Sequence, residues 1–324
     1  MLWAAPTSSM QSPPPWLFLA IWAGEIADHI ERVVSSEERW RFGNLSGIVG
    51  AQNSFVELSD VETARKLQQM VYEDLGLRTP LIDPHTRLDR FSGIPDHLCG
   101  LTGSLGKRGL NIREWRRSEV MEVHEPWDDK RHGSTAAPHK SNPEFNEIVE
   151  GLAVVCRGLA SAMRALHIPA TRDSIRIPVE FTCIHQLYMM TAGALGITCT
   201  NMAGLVIHAV RMRDNVRHRN VLVQAASERL MMAIYKKTGE KDRTHTLLHK
   251  LAAQSNRSDT PFREVVSENS RINALFSSSE MDALMDPSTY TGTASHQTEQ
   301  AVEAIRNRLP CHRKNRGGKA TAGH

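Results

Sequence analysis

Aromatic residues make up only 6% of this 324-residue chain, which leaves little of the Trp, Tyr and Phe that build β-sandwich cores. Alanine, leucine, methionine, glutamate and arginine are plentiful, and that balance favours helices. Cysteine is scarce as well. The five present, Cys99, Cys156, Cys183, Cys199 and Cys311, show no Cys-x-x-Cys pair and no metal-ligand spacing. Four of them lie in apolar helical context, so they read as reduced core residues of an intracellular protein. No lysine or arginine precedes Arg32, so the apolar run from Trp16 to Gly24 lacks the basic flank of a signal peptide, and it is too short to span a bilayer. A net charge of +3 gives no basis for nucleic-acid binding, and the acids and bases alternate along solvated helix faces. The 15 histidines show no His-x-x-x-His pair with a third ligand on one expected face, so the sequence predicts no metal and no other cofactor.

What is there is helical periodicity with enough apolar residues, 40%, for a sizeable core. Helices are expected over Pro15 to about Ser35 and Asp60 to Leu75, the second carrying Val61, Ala64, Leu67 and Val71 on one face. A glycine-punctuated linker, Arg41 to Gly50, separates them. His85 to Val123 reads as one long helix or two abutting ones, bent or broken at Pro95. Two long apolar helices follow, Glu147 to Leu166 and Pro178 to Val216. Shorter ones come after them: Val221 to Lys236, Lys241 to Ala253, Phe262 to Ser267, Ser279 to Met285 and Ser295 to Leu309. No segment alternates as a strand. The fold class is all-α, a central bundle of long helices with a smaller helical C-terminal domain. The expected divisions are 1–10 (atypical N-terminal segment), 11–216 (bundle), 217–309 (C-terminal domain) and 310–324 (a basic, glycine-rich, disordered tail).

The densest chemistry lies between Gly133 and Pro143, Gly-Ser-Thr-Ala-Ala-Pro-His-Lys-Ser-Asn-Pro. A hydroxyl (Ser134) follows a flexible glycine, and a cation (Lys140) stands two residues before an amide (Asn142). Pro143 then opens a helix whose first turn carries Glu144 and Glu147. Such a loop suits a small anionic substrate, with the lysine and the helix N-terminus supplying positive charge. The spacing alone fits an ordinary polar turn and N-cap as well.

The string resembles the signature Gly-Ser-Ser-x-Met-Pro-x-Lys-x-Asn-Pro of the fumarase/aspartase superfamily, matching six of its eight defined positions, with Thr135 and Ala137 the departures. Other segments agree. Leu45-Ser-Gly-Ile-Val-Gly resembles the family's Ser-Gly-Ala-Val-Gly turn, and Arg117-Ser-Glu-Val-Met-Glu-Val-His-Glu-Pro resembles its Arg-Thr-Glu-Val-x-Glu-Val-x-Glu-Pro. Pro261-Phe-Arg-Glu-Val-Val and Met285-Asp-Pro-Ser-Thr-Tyr-Thr-Gly look like the C-terminal domain of adenylosuccinate lyase and 3-carboxymuconate cycloisomerase. The resemblance covers about residues 11 to 309.

It implies an enzyme that removes a proton beside a carboxylate, passes through an aci-carboxylate, and expels a leaving group from the neighbouring carbon or closes a lactone. Ser134 is the implied base. Lys140 and Asn142 are implied to hold substrate carboxylate, with Thr135, His139 and Gln11 also in the binding site. Glu147 is implied to orient a general-acid histidine. The histidine expected within Thr-His-x-Gln-x-Ala-x-Pro-x-x-Phe is not there: Gln11, Pro15 and Phe18 keep the spacing, but Ser8 and Ser9 stand where Thr and His would be. Ala170-Thr171-Arg172 likewise replaces a His-Glu-Arg. The chain is expected to lack the family's N-terminal domain. The alternatives for the acid are His124, which otherwise reads as a helix-end residue, and His139. The implied substrate is a di- or tricarboxylate, with the carboxymuconate branch preferred over the adenylosuccinate one because no nucleotide-phosphate site is evident. An adenylosuccinate lyase-like enzyme, an unsaturated-tricarboxylate decarboxylase and a catalytically inactive assembly subunit are the alternatives. The implied assembly is a cytoplasmic homotetramer with shared active sites, and neither nucleic acid nor membrane is an expected partner.

Overall fold

The computed structural model of the chain describes residues 15–47, 49–82, 93–127, 136–137, 140–167, 174–217 and 219–309. Among them are thirteen α-helices, two short 3₁₀ turns and a single two-stranded pairing. The all-α reading therefore holds. No helix among the described residues is long and apolar enough to cross a membrane. The chain divides into two compact units, one of Glu25–Leu110 and Glu144–Ala203, the other of Met1–Gly24, Asn111–Pro143 and Gly204–His324.

The first unit is built on long helices. α1 (Pro15–Trp40) starts at a proline, whose missing N–H costs nothing at a helix start. It buries Ala27 and His29, but Ile30, Val33 and Val34 are exposed. A short α2 (Asn53–Leu58) leads to α3 (Val61–Asp74), capped by Asp60, whose carboxylate accepts from the Thr63 N–H at 2.9 Å. The buried stripe of α3 is Ala64, Gln68 and Tyr72 rather than the expected Val61, Ala64, Leu67 and Val71, since Val61 and Leu67 are exposed. The glycine-punctuated linker decides this. Tyr72 lies over Gly43, where an added Cβ would fall 1.9 Å from the ring, and its hydroxyl accepts from the Leu45 N–H at 2.6 Å.

α4 (Gly93–Arg116) runs unbroken. Pro95 falls in its first turn, where amides have no intrahelical acceptor, so the proline is accommodated there, and the expected helical stretch before Gly93 lies outside the described residues. α5 (Glu144–Arg164) continues into a 3₁₀ turn, Ala165–His167, and packs along α6 (Arg176–Ala203) through Cys156, Met163, Leu166, Cys183 and Leu187. Burial raises the Cys156 and Cys183 thiols above their ordinary pKa. Cys99 is half-buried, whereas Cys199 is exposed, against its expected core position. Cys311 lies outside the described residues. α4 approaches α5 closely at Gly106 and Gly109, where an added Cβ would come within 3.0 Å of the Ala153 Cβ and 2.9 Å of the Asn146 carbonyl oxygen.

The second unit holds two features that the sequence did not show. The expected helix Pro178 to Val216 is interrupted. α6 ends at Ala203, and the chain passes through Gly204 into β2 (Val206–Ile207), then resumes as α7 (Ala209–Arg217). A Cβ at Gly204 would lie 2.6 Å from the Pro126 Cβ, so a larger residue there would clash. β2 pairs antiparallel with β1 (Val123–His124), Val123 opposite Ile207 and His124 opposite Val206. Phe18, Trp22 and Trp115 form an aromatic cluster, the two indoles stacked with centroids 5.3 Å apart.

The C-terminal helices are α8 (Arg219–Thr238), α9 (Lys241–Ser258), α10 (Phe262–Glu268), α11 (Ser270–Asn273), α12 (Ser278–Met285) and α13 (Ala294–Arg308). Leu230, Ile234, Phe262, Val266 and Ile272 form their core. Ser277 and Glu280 cap α12 reciprocally in a capping box. The Ser277 amide, which donates to the Glu280 carboxylate, is the main reason that carboxyl lies below its ordinary pKa.

Candidate functional site

The residues around Lys140 are positioned by the end of α4 and by the β1–β2 pair. α4 closes on Met121, which takes a left-handed φ of 54° while its N–H donates to the Arg117 carbonyl at 2.8 Å. The chain then runs into β1. Here the glutamates of the Glu-Val-x-Glu-Pro segment are structural: Glu122 and Glu125 are both buried. Glu122 Oε1 accepts from Asn215 Nδ2 at 2.9 Å, and its carbonyl accepts from the His208 N–H at 2.9 Å, which ties α7 to this segment. Asn215 Nδ2 also donates to the Val120 carbonyl at 2.7 Å, and Arg211 Nε to the same carbonyl at 3.1 Å.

Lys140, Ser141 and Asn142 come just before α5. The Lys140 N–H donates to the Ala137 carbonyl at 2.9 Å, and the Lys140 side chain is exposed with no ion pair or side-chain hydrogen bond among the described residues. Ser141 between them is held on two sides. Arg116 Nη2 donates to Ser141 Oγ at 2.6 Å, and His124 Nε2 is 3.1 Å from the same oxygen. His124 Nδ1 lies 2.5 Å from the Glu125 carbonyl, which can only accept, so Nδ1 carries the proton. In the neutral ring, Nε2 is then the acceptor and Ser141 donates to it. The result is a directed chain from Arg116 through Ser141 and His124 to Glu125. His124 is thus a strand residue beside the lysine–asparagine pair, not the helix-end residue expected. The ring of Trp127 meets its imidazole edge-on, with centroids 6.1 Å apart.

Of the residues named from sequence, Lys140, Asn142 and Glu147 are among the described residues. Glu147 lies in the first turn of α5, exposed and with no hydrogen bond or ion pair to a described residue. Ser134, Thr135, His139 and Gln11 lie outside the described residues. Sequence reasoning passed over Arg116 and Ser141. Ser141 occupies an undefined position of the signature, and Arg116 is the first of two arginines where only Arg117 belongs to a recognised string. A buried polar group in the first unit was also missed. Arg108, on α4, donates to Asn146 Oδ1 at 2.9 Å and to Thr198 Oγ1 at 3.2 Å, and Asn146 Nδ2 donates to Asn201 Oδ1 at 3.2 Å. This group joins α4, α5 and α6. Its isolated polar letters carry no local pattern. Among the described residues, no group of three or more His, Cys, Asp or Glu is placed to hold a metal ion.

The family described as adenylosuccinate lyase C-terminus matches residues 224–301. The chain is 27% identical over 288 residues to N-acetyl-S-(2-succino)cysteine lyase of Dickeya dadantii (strain 3937), covering 88% of this chain and 61% of that protein. It is 29% identical over 288 residues to adenylosuccinate lyase of Pyrococcus horikoshii, covering 88% of this chain and 62% of that protein. Among solved structures, 3-carboxy-cis,cis-muconate lactonizing enzyme from Pseudomonas putida superposes with a TM-score of 0.77 at 26% identity, over 90% of this chain and 63% of that one. The chain thus spans about three fifths of the length of the curated relatives it matches. The match at residues 224–301, the relatives aligned over nearly nine tenths of the chain and the shared helical architecture give one conclusion: the chain belongs to the fumarase/aspartase superfamily.

Proposed function

We propose that the protein is a lyase or cycloisomerase acting on a di- or tricarboxylate, of the 3-carboxy-cis,cis-muconate cycloisomerase type, and that it works as a homotetramer with shared sites. Ser134 takes the proton from the carbon beside a substrate carboxylate. That carboxylate takes up the electron pair as an aci-carboxylate, and the bond to the leaving group on the neighbouring carbon breaks. The reverse direction forms that bond and closes a lactone. Lys140 and Asn142 hold the carboxylate on which negative charge grows, and fixed positive charge at that point lowers the barrier most. Glu147 orients the group that protonates the leaving atom.

The observation that carries this reading is the state of Lys140. Its ammonium has no anionic partner among the described residues, and it stands two residues before Asn142 and directly ahead of the helix that bears Glu147. The homotetramer is supported by Ile177, Phe181, Tyr188 and Met189, large apolar side chains exposed along α6.

Turnover followed by enoate absorbance tests the proposal. The protein, with its mass checked by light scattering, is offered 3-carboxymuconate, its lactone, adenylosuccinate and N-acetyl-S-(2-succino)cysteine. One of these is expected to turn over, with kcat falling about 10³-fold or more in Ser134→Ala. A folded tetramer inert towards all four contradicts the proposal, and a folded monomer contradicts the assembly.

A further inference from the structure

The face of α1 turned towards α4 carries charge where a packed helix pair usually carries apolar side chains. Glu25, Asp28, His29 and Arg32 stand at i, i+3, i+4 and i+7, one stripe of α1. Gly100, Gly103, Ser104 and Lys107 form a stripe of the same spacing on α4. The two run antiparallel: Lys107 pairs with Glu25, Ser104 Oγ lies 3.0 Å from His29 Nε2, and His97 Nε2 lies 2.9 Å from Ser36 Oγ. Between them is a groove of about 410 Å³, lined by both stripes and contained in one compact unit. The small residues of α4 make this space. At Gly106 and Gly109 glycine lets α5 come close, but a Cβ at Gly103 would meet nothing within 4 Å, so this glycine leaves room instead of allowing contact. The Glu25–Lys107 pair closes one end of the groove. His29, only 7% exposed, forms its floor, and Nδ1 of that ring holds Arg32 Nη1 at 3.3 Å. The rest of the Arg32 guanidinium is exposed, with no carboxylate within ion-pair distance among the described residues. Asp28 lies one helical turn before it on the same stripe, about 6 Å along the axis.

We propose that this groove binds a small zwitterion, with its carboxylate on Arg32 and its ammonium on Asp28. A ligand that is only a carboxylate meets the Asp28 charge as well as the Arg32 one, and a ligand that is only an ammonium meets the reverse. A molecule bearing both groups gives each side chain an opposite charge. The planar guanidinium meets the two carboxylate oxygens with parallel N–H donors. The step from Asp28 to Arg32 also selects among zwitterions, because the two ligand charges must lie about one helical turn apart. Groups on a single carbon do not span that step. The ligand class is accordingly an ω-amino acid, with a short methylene chain between the amine and the acid.

Calorimetric binding to the full chain tests the inference with γ-aminobutyrate, glycine, butyrate, which keeps only the carboxylate, and butylamine, which keeps only the ammonium. γ-Aminobutyrate is expected to bind about tenfold or more tighter than each of the others. Arg32→Gln and Asp28→Asn are each expected to remove that advantage, and Gly103→Leu, which fills the groove from α4, to abolish binding. Lys140→Gln is expected to leave the affinity unchanged, which separates the groove from the proposed carboxylate clamp. Circular dichroism confirms that each variant is folded. Equal affinity for γ-aminobutyrate and the singly charged probes, an affinity untouched by Arg32→Gln, a loss of binding in Lys140→Gln, or no binding of any probe overturns the proposal. Glycine binding as tightly as γ-aminobutyrate overturns the spacing and with it the ligand class.

Discussion

His29 shows how a single side chain can tie the long-helix unit to pH. It is buried between α1 and α4, with Arg32 Nη1 3.3 Å from Nδ1 and Ser104 Oγ 3.0 Å from Nε2. A guanidinium can only donate, so Nδ1 accepts and the ring is neutral, with its proton on Nε2 directed at Ser104. Burial first, and then the Arg32 charge, lowers its pKa below the ordinary 6.5. Glu25 and Asp28 oppose that shift, and His97 adds to it. The sign follows directly. Between the lowered folded value and 6.5, the unfolded chain binds more protons than the folded one, so stability is lost as pH falls through that window. Urea midpoints at about pH 7.5 and about pH 5.5 are expected to fall less steeply with acid in His29→Gln than in the parent. An unchanged pH slope contradicts a buried neutral His29. Nothing in the sequence marked this histidine among 15, because its neutrality comes from an arginine three residues away and a serine 75 residues away.

At the scale of elements, the sequence was most legible where a local rule acts alone. Asp60 before α3, the proline that opens α1 and the Ser277–Glu280 capping box are local chemistry, and the helix starts follow from them. It was least legible where a distant partner decides. The expected helix through Val216 stops at Ala203 because Gly204 packs on Pro126, a residue that no window around Gly204 contains. The stripe of α3 shifted to Gln68 and Tyr72 because their partners are in the glycine linker. The glycines of α4 divide by position in the same way. Gly109 faces the Asn146 carbonyl at 2.9 Å, where backbone cannot give way, whereas Gly103 has nothing within 4 Å of an added Cβ. Gly109→Ala is therefore expected to destabilise by about 1–3 kcal/mol. Gly103→Ala is expected to be neutral or to stabilise by roughly 0.5–1 kcal/mol through helix propensity. Chemical denaturation of the two variants checks this, and equal effects contradict the packing of α4 on α5. The candidate site follows the same division. Lys140 and Asn142 were readable as a spaced string, but Arg116, Ser141 and the strand position of His124 depend on how α4 and the β1–β2 pair meet that string.

At the scale of the whole molecule, the chain has the helical architecture of its superfamily, and the match at residues 224–301 falls on the helices around the Leu230–Phe262 core. The chemistry proposed for it is proton transfer at the carbon next to a carboxylate, with Ser134 as the base and Lys140 and Asn142 as the groups that hold the carboxylate. The most direct measurement is to run whichever substrate turns over in D₂O and locate deuterium in substrate and product by NMR. One solvent deuteron at the carbon beside the carboxylate, gained in the lactone-forming or addition direction and much slower to appear in Ser134→Ala, is the predicted result. Turnover with no deuterium at that carbon, or incorporation at the same rate in Ser134→Ala, would contradict it.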